Sequence, residues 1–432
     1  MKILLVSTYE LGRQPFGVAS AAAWLMRAGH QVSCFDTSRE TFTPEIFLAA
    51  DMIAFHLPMH TATRLAAPLI ATAQKINPGA RLVCFGLYAP LNEHYLRELG
   101  VQSLAGGEFE AGLVELASGN PAAPVSWERL EFIRPERASL PSLDRYAKLQ
   151  INGEHKLAGY TEASRGCKHR CRHCPVVNVY NGRFRVVQAD VVLADIRQQV
   201  KAGAEHITFG DPDFWNGPAH AVRITEALHR EFPRITYDAT IKVEHLRKHA
   251  ALLPTLKQTG CVFVTSAVES LNDEVLARLE KGHNREDFFW VVREFRSLDL
   301  ALSPTFIPFT PWTDRGDYRN LLETIERLEL IENVSPVQLA LRLLIPANSR
   351  LLELKDVPLA GFDQAALLWR WQHPNPQVDA MAARALQIAG SPGSRRELFA
   401  KFWELAQGTP WQTPLDLVAR ATIPFLDEPW YC

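Results

Sequence analysis

The stretch Arg165–Val177, RGCKHRCRHCPVV, gathers Cys167, Cys171 and Cys174, spaced by three residues and then by two. Thiolates so close along a chain can share one metal centre. A closed zinc site takes four nitrogen or sulfur ligands, usually as two separated pairs. His169 or His173 could supply the fourth, but the spacing is tighter than that of paired zinc knuckles. A four-iron, four-sulfur cubane takes one thiolate per iron, so three cysteines leave one iron open. That iron could chelate the amine and carboxylate of a small molecule and pass it an electron. Arg165, Lys168, Arg170 and Arg172 would suit the net negative charge of such a cluster, although four cations in a loop also read as a solvated basic surface.

The loop needs a scaffold that presents it at an open face. Strand-like runs YTEAS, HITFG, ITYDATI, CVFVTSAV, ALSPTFIPF and VQLALRLLI alternate with helical stretches over residues 159–349. They predict a partial (β/α)6 TIM-like barrel with its chemistry at the carboxyl-terminal mouth, and the cysteine loop follows the first strand. Residues 1–120 alternate in the same way (ILLVS, VSCFD, MIAFHL, RLVCFG, QSLAG), which predicts a doubly wound, Rossmann-like parallel sheet covered by helices on both faces. A ligand of that sheet should touch the strand ends at residues 7–11, 56–60, 86–90 and 106–108. Residues 121–158, broken by Pro121, Pro124, Pro135 and Pro141, read as a linker. Residues 350–432, with AALLWRWQH, VDAMAARALQIAG and RRELFAKFWELAQ, read as a helical C-terminal region.

A chain of 432 residues has room for two or three domains and a large buried site. Its 46 basic and 48 acidic residues give no electrostatic reason to expect nucleic acid or an anionic membrane, so a small-molecule substrate is favoured. No signal peptide or membrane-spanning apolar run is evident, and the reading is of a cytoplasmic protein with free or metal-bound thiols. Cys34, Cys84 and Cys261 lie in apolar runs and read as small buried hydrophobes.

CxxxCxxC after the first strand of a partial barrel resembles the signature of the radical S-adenosylmethionine (SAM) superfamily. The resemblance implies a cluster on Cys167, Cys171 and Cys174, SAM chelated by the open iron, reductive cleavage to a deoxyadenosyl radical, and an electron donor such as flavodoxin or ferredoxin. It further implies that His173 lies against the adenine and that Gly210, Asp211 and Asp213 of ITFGDPDFWNG meet the amino group. Ser266 and Glu269 would reach the ribose and amino-acid portions, with Lys242 and Ile307 as further SAM contacts. Asp211 and Asp213 could equally cap the following helix.

The amino-terminal region resembles the cobalamin-binding domain of one class of this superfamily, which points to Gly86, Tyr88, Gly106, Gly107 and Glu108 as cobalamin contacts. It lacks the DxHxxG sequence by which some cobalamin proteins ligate cobalt through histidine. The ending IPFLDEPWYC resembles a cysteine-tail group, in which Cys432 could bind a metal or metalloid. The leading expectation is a cobalamin-dependent methyltransferase acting on an unactivated carbon or a phosphinate of a small molecule. The alternatives are cobalamin-independent SAM chemistry, such as aminocarboxypropyl transfer to a thiophilic atom, and a non-catalytic zinc protein. Trp215, Trp312, Tyr318 and Trp430 suggest an apolar-walled pocket.

Overall fold

The computed structural model describes residues 1–412 and 425–427. The first sheet contains strands β1 (Lys2–Ser7), β2 (Gln31–Asp36), β3 (Met52–His56), β4 (Arg81–Phe85), β5 (Ser103–Gly107) and β6 (Val125–Ser126). All run parallel, in the order β2-β1-β3-β4-β5-β6. Helices α1 (Phe16–Arg27), α2 (His60–Ile76), α3 (Glu93–Glu98) and α4 (Phe109–Ala117) cover it. The strands are apolar at successive positions because both faces are buried. Ile3, Leu5, Ala54 and Phe85 pack with Val18, Leu25 and Leu113 on one side, while Leu4, Val6, Phe55 and Cys84 pack with Ala66, Ile70 and Leu96 on the other.

The second sheet begins with β7 (Lys148–Ile151), which runs antiparallel to β8 (Glu154–Thr161). A short hairpin follows, β9 (Ser164–Gly166) with β10 (Phe184–Val186), and brackets the cysteine loop and α5 (Pro175–Tyr180). Then come α6 (Ala189–Lys201), β11 (His206–Phe209), α7 (Pro218–Glu231), β12 (Thr236–Thr240), α8 (Val243–Lys248), α9 (Leu253–Gln258), β13 (Cys261–Glu269), α10 (Asp273–Arg278), α11 (Arg285–Ser297), β14 (Ala301–Phe306) and α12 (Arg315–Arg327). Strands β8, β11, β12, β13 and β14 are parallel neighbours in that order and form the partial barrel.

The expected sixth strand is reduced to one parallel bridge, Phe309 to Arg342. Pro336, which has no N–H to give a ladder, opens a 3₁₀ turn over Pro336–Leu339 instead. The C-terminal region is also less helical than expected. AALLWRWQH contributes β16 (Leu368–Trp371), paired antiparallel with β15 (Leu359–Asp363), and only then follow α13 (Pro376–Ala389) and α14 (Arg395–Gln407). Trp371 turns inward to donate to Leu343 O at 2.8 Å beneath the Arg342 guanidinium, a tertiary anchor that overrides the helical reading. Strand β17 (Phe425–Leu426) joins β7 antiparallel.

The stretch read as a linker is well tied down. Arg137 is buried, with Nε and Nη2 donating to Asp195 at 2.7 and 2.8 Å and Nη1 donating to Gln14 at 2.8 Å, so it joins α6 to the first sheet's loops. Cys84 and Cys261 are buried as expected, whereas Cys34 on the edge strand β2 is half-buried.

Candidate active site

The cysteine loop is fixed at both ends by backbone geometry. Gly166 lies in the left-handed region at φ +72, and a Cβ there would stand 2.4 Å from the Tyr180 ring and 2.6 Å from Arg183 O. Only glycine lets the chain turn so tightly against α5. At the far end Cys174 precedes Pro175, which starts α5 with its φ already helical. Asn216, in the loop after β11, accepts from Lys168 N at 3.2 Å and lies 3.7 Å from Cys167 Sγ.

Cys167 and Cys171 are buried and Cys174 is half-buried. Burial pushes the Cys167 thiol up to about 11 and the Cys174 thiol up to about 12. Such thiols ionise only when a cation takes the proton's place, and a bound metal does that. The loop's own cations do not supply the compensating charge. Arg170 is exposed, Arg172 pairs with Glu280 at 2.6 Å, and Lys168 donates to Asn216 O at 3.3 Å. Arg165 turns away to a carboxylate cluster, 2.6 Å from Glu110, 2.8 Å from Glu162 and 3.5 Å from Glu108. Two lysines from other elements take their place: Lys242 Nζ sits 3.7 Å from Cys171 Sγ, and buried Lys281 is held within electrostatic reach of Cys171 and Cys174.

His173, Glu269 and Lys281 form one group, with His173 Nε2 and Lys281 Nζ each 3.1 Å from Glu269 Oε1. Burial alone would raise the Glu269 carboxyl, but the Lys281 ammonium and His173 hold it well below the ordinary range. Glu269 also has a left-handed backbone, φ +68, at the end of β13, and Ile307 N donates to its carbonyl at 2.8 Å. His173 Nδ1 is buried without a hydrogen-bond partner.

The loop after β11 serves two purposes. Asp211 accepts from Ala163 N at 2.9 Å and Ser164 Oγ at 2.5 Å, fixing the start of the cysteine loop, and burial raises its carboxyl to about 7 despite those bonds. Asp213 caps the short 3₁₀ turn through Trp215 N at 3.3 Å and faces His245 and His169. Gly210 N donates to Thr161 O at 2.8 Å, and a Cβ on Gly210 would collide with the Tyr160 hydroxyl.

Two cavities meet here. One, about 200 Å³, lies between the cysteine loop and the carboxyl ends of β1, β3, β4 and β5, lined by Glu10, His56, Met59, Gly86, Gly107, Arg165 and Tyr180 among others. The other, about 470 Å³, runs through the barrel interior past Thr208, Asp238, Thr240, Thr265, Ser303 and Thr305. Arg13, Tyr160, Gly210 and Pro212 border both. Larger hollows of about 770 and 1000 Å³ lie at the amino ends of β12–β14 and between α3 and the β15–β16 hairpin; none of the four is lined by Cys167, Cys171 or Cys174.

Residues 161–325 match the radical SAM superfamily. The chain carries a radical SAM domain. Threonylcarbamoyladenosine tRNA methylthiotransferase MtaB of Thermotoga maritima is 22% identical over 272 residues, 60% of this chain and 59% of that protein. Bacteriochlorophyllide d C-12(1)-methyltransferase of Chlorobaculum tepidum is 27% identical over 149 residues, 34% of this chain and 32% of its own length. Among solved structures, OxsB, a cobalamin-dependent SAM radical enzyme, superposes with a TM-score of 0.65 at 14% identity, covering 90% of this chain and 66% of its own. The radical SAM methyltransferase TsrM of Kitasatospora setae gives 0.64 at 14% identity, covering 94% and 98%. These two likenesses establish the shared fold.

A radical SAM domain uses a four-iron cluster and SAM, and three buried or half-buried thiols with two lysines near them and the unpartnered His173 Nδ1 are chemistry that fits both groups. Of the residues expected to contact SAM, His173 and Glu269 meet each other and Lys242 lies beside Cys171, while Asp211 is spent on Ala163 and Ser164, Asp213 faces His169 and His245, Gly210 abuts Tyr160, and Ile307 packs with Val275 and Leu343. Ser266 is likewise engaged elsewhere. It points to the helical side of β13 and spends its hydroxyl on Ile241 O at 2.7 Å, while Thr265 faces the interior cavity. Of the expected cobalamin contacts, Gly86 and Gly107 line the narrow crevice; Tyr88, Gly106 and Glu108 do not, and Glu108 faces Arg165 and Tyr180.

Aromatic rings do line these cavities, Phe109, Tyr160 and Tyr180 in one and Phe209 and Phe263 in the other, but among the described residues they are not the ones expected. Trp215 and Tyr318 are core residues, Trp312 bonds Asp356 at 3.0 Å, and Trp430 and Cys432 lie outside the described residues. Sequence reasoning missed Lys281, Asn216 and Tyr160. The asparagine stands three residues beyond Asp213 in a stretch already singled out, but a lone lysine in KGHN carries no sequence signal of its burial. Among the described residues no helix is long and apolar enough to cross a membrane.

Proposed function

We propose that this radical SAM enzyme is a methyltransferase for a small molecule, with cobalamin held between the first sheet and the cysteine loop. The observation that carries the reading is the adjacency of the two cavities, which share Arg13, Tyr160, Gly210 and Pro212 in their walls and so set the first sheet's crevice beside the barrel interior. OxsB and TsrM, which share the architecture, bind cobalamin. Polar side chains line the crevice: Glu10 Oε2 and His56 Nδ1, 3.5 Å apart, are buried without hydrogen bonds. Gly86 and Gly107 line it in left-handed turns, φ +101 and +68, that bring their Cα atoms against Leu57 O and Ser126 O.

When bound, the cluster and SAM supply one-electron cleavage of a sulfonium, and cobalamin supplies a transferable methyl group. This chain's residues do the rest. Cys167, Cys171 and Cys174 hold the cluster, Lys242 and Lys281 balance its charge, and Asp211 keeps the loop in register. The hydroxyl-lined barrel orients the substrate, and a ferredoxin or flavodoxin delivers the electron.

The width of the crevice favours a second reading. At about 200 Å³ it is below the roughly 300–1,000 Å³ of pockets for drug-sized ligands, so a corrin enters only if it widens. In that reading the first sheet shapes the substrate pocket, and the enzyme transfers the aminocarboxypropyl arm of SAM to a thiophilic atom such as arsenic. Anaerobic reconstitution with iron, sulfide and hydroxocobalamin tests the choice. Corrin absorbance that survives gel filtration supports the methyltransferase; its loss, with methylthioadenosine rather than demethylated SAM as product, supports the second.

A further inference from the structure

A second donor cluster adjoins the cysteine loop. His169 stands between Cys167 and Cys171, Asp213 lies in the loop after β11, and His245 is on α8; Asp213 is 0% and His245 1% exposed. Asp213 Oδ1 is already engaged by the backbone N–H groups of Trp215 and Lys242 at 3.3 and 3.4 Å. Its Oδ2 sits 2.6 Å from His245 Nδ1 and 3.7 Å from His169 Nε2, yet neither Oδ2 nor His245 Nδ1 achieves hydrogen-bond geometry. The Nε2 atoms of the two imidazoles face each other at 3.0 Å. Two buried polar atoms crowded together without an aligned hydrogen are costly, and a shared cation removes that cost.

We propose that His169, Asp213 and His245 form a mononuclear site for a divalent cation of the zinc type, separate from the cluster. Two imidazoles and a carboxylate are a donor set for zinc and its neighbours, whereas calcium and magnesium need more oxygens. Metal–ligand bonds of about 2.0–2.1 Å at tetrahedral angles set donors roughly 3.3 Å apart. With one ligand atom from each residue, the three donors lie within 4.8 Å of one another; Asp213 Oδ2 is 3.7 Å from His169 Nε2 and 2.6 Å from His245 Nδ1, so side-chain shifts of about 1 Å bring them to that spacing. Two carboxylates adjoin the imidazoles: Asp213, and Glu244, whose Oε2 lies 3.4 Å from His169 Nδ1 and 3.2 Å from Lys242 Nζ. Such an ion would pin the middle of the cysteine loop to α8.

The test uses the full chain, reconstituted anaerobically with iron and sulfide and then dialysed against Zn²⁺, with zinc, iron and sulfide measured separately. About one zinc per chain is expected beside about four irons. His169→Ala and the more deeply buried His245→Ala should each weaken zinc binding at least tenfold while iron and sulfide stay at the wild-type level. Co²⁺ in place of Zn²⁺ should show visible ligand-field bands that vanish in His169→Ala. No zinc in the wild type, equal zinc in all three proteins, or zinc lost in Cys167→Ala but kept in His169→Ala would overturn the proposal. Cluster content is read independently, so failure of the zinc site and failure of the radical SAM reading give different results.

Discussion

Lys242 Nζ lies 3.7 Å from Cys171 Sγ, brought there from the end of β12, seventy-one residues along the chain. A cluster held by that thiolate becomes more negative on reduction, so a fixed ammonium beside it favours the reduced state. Lys242→Gln should leave iron content unchanged and lower the midpoint potential by about 60 mV, a tenfold change in a one-electron equilibrium. A redox titration followed by electron paramagnetic resonance checks this, and an unchanged potential would remove Lys242 from the electrostatic account.

Arg165 binds three carboxylates from inside the protein, Glu108, Glu110 and Glu162, with its guanidinium over the rings of Phe109 and Phe132 at 5.0 and 4.9 Å. Arg165→Ala leaves those acids buried and unpaired, and should cost about 3–5 kcal/mol in urea unfolding. Arg165→Lys should recover only part of this, because one ammonium cannot fork between several carboxylates.

Burial raises the Glu108 carboxyl to about 7, although Arg165 opposes the rise. A carboxyl raised on folding is protonated more readily in the native state, so its contribution to stability is present in acid and is lost as pH climbs from about 4.5 through 7. The span corresponds to roughly 3 kcal/mol. Glu108→Gln should abolish this slope: relative to the variant, wild type should lose stability between pH 5 and 7.5. Parallel denaturation curves at both pH values would contradict the shift.

Thr265 faces the barrel cavity, while Ser266 is bonded to Ile241 O on the helical side. Thr265→Val should therefore weaken SAM or substrate binding by roughly tenfold with little effect on stability. Ser266→Ala should cost about 1 kcal/mol of stability and leave binding unchanged. Isothermal titration with SAM, paired with thermal unfolding, separates the two, and the reverse pattern would restore Ser266 to the site.

Period and spacing made the two sheets and the cysteine loop legible, because buried parallel strands read as short apolar runs and CxxxCxxC leaves few coordination chemistries. The details that failed are set by tertiary contact. Ser266 and Thr265 are neighbours, and a slip of one residue moves a side chain to the other face of the strand. Trp369 and Trp371 belong to a hairpin anchored by distant carbonyls of Ala347 and Leu343, which no local helical pattern could reveal. Lys281 beside the thiols, and Arg165 turned away from them, depend on which carboxylates the fold brings near; charge in the sequence gives its amount but not its direction.

If Cys167, Cys171 and Cys174 hold a cluster that cleaves SAM, loss of one thiol must abolish cleavage. Anaerobic reconstitution of wild type and Cys171→Ala, followed by dithionite and SAM, measures it directly through iron, sulfide and released nucleoside product. The account predicts about four irons and four sulfides with SAM cleavage in the wild type, and loss of cleavage in the variant. A wild-type protein that stays iron-free and colourless, or a variant that cleaves SAM at the wild-type rate, would contradict it.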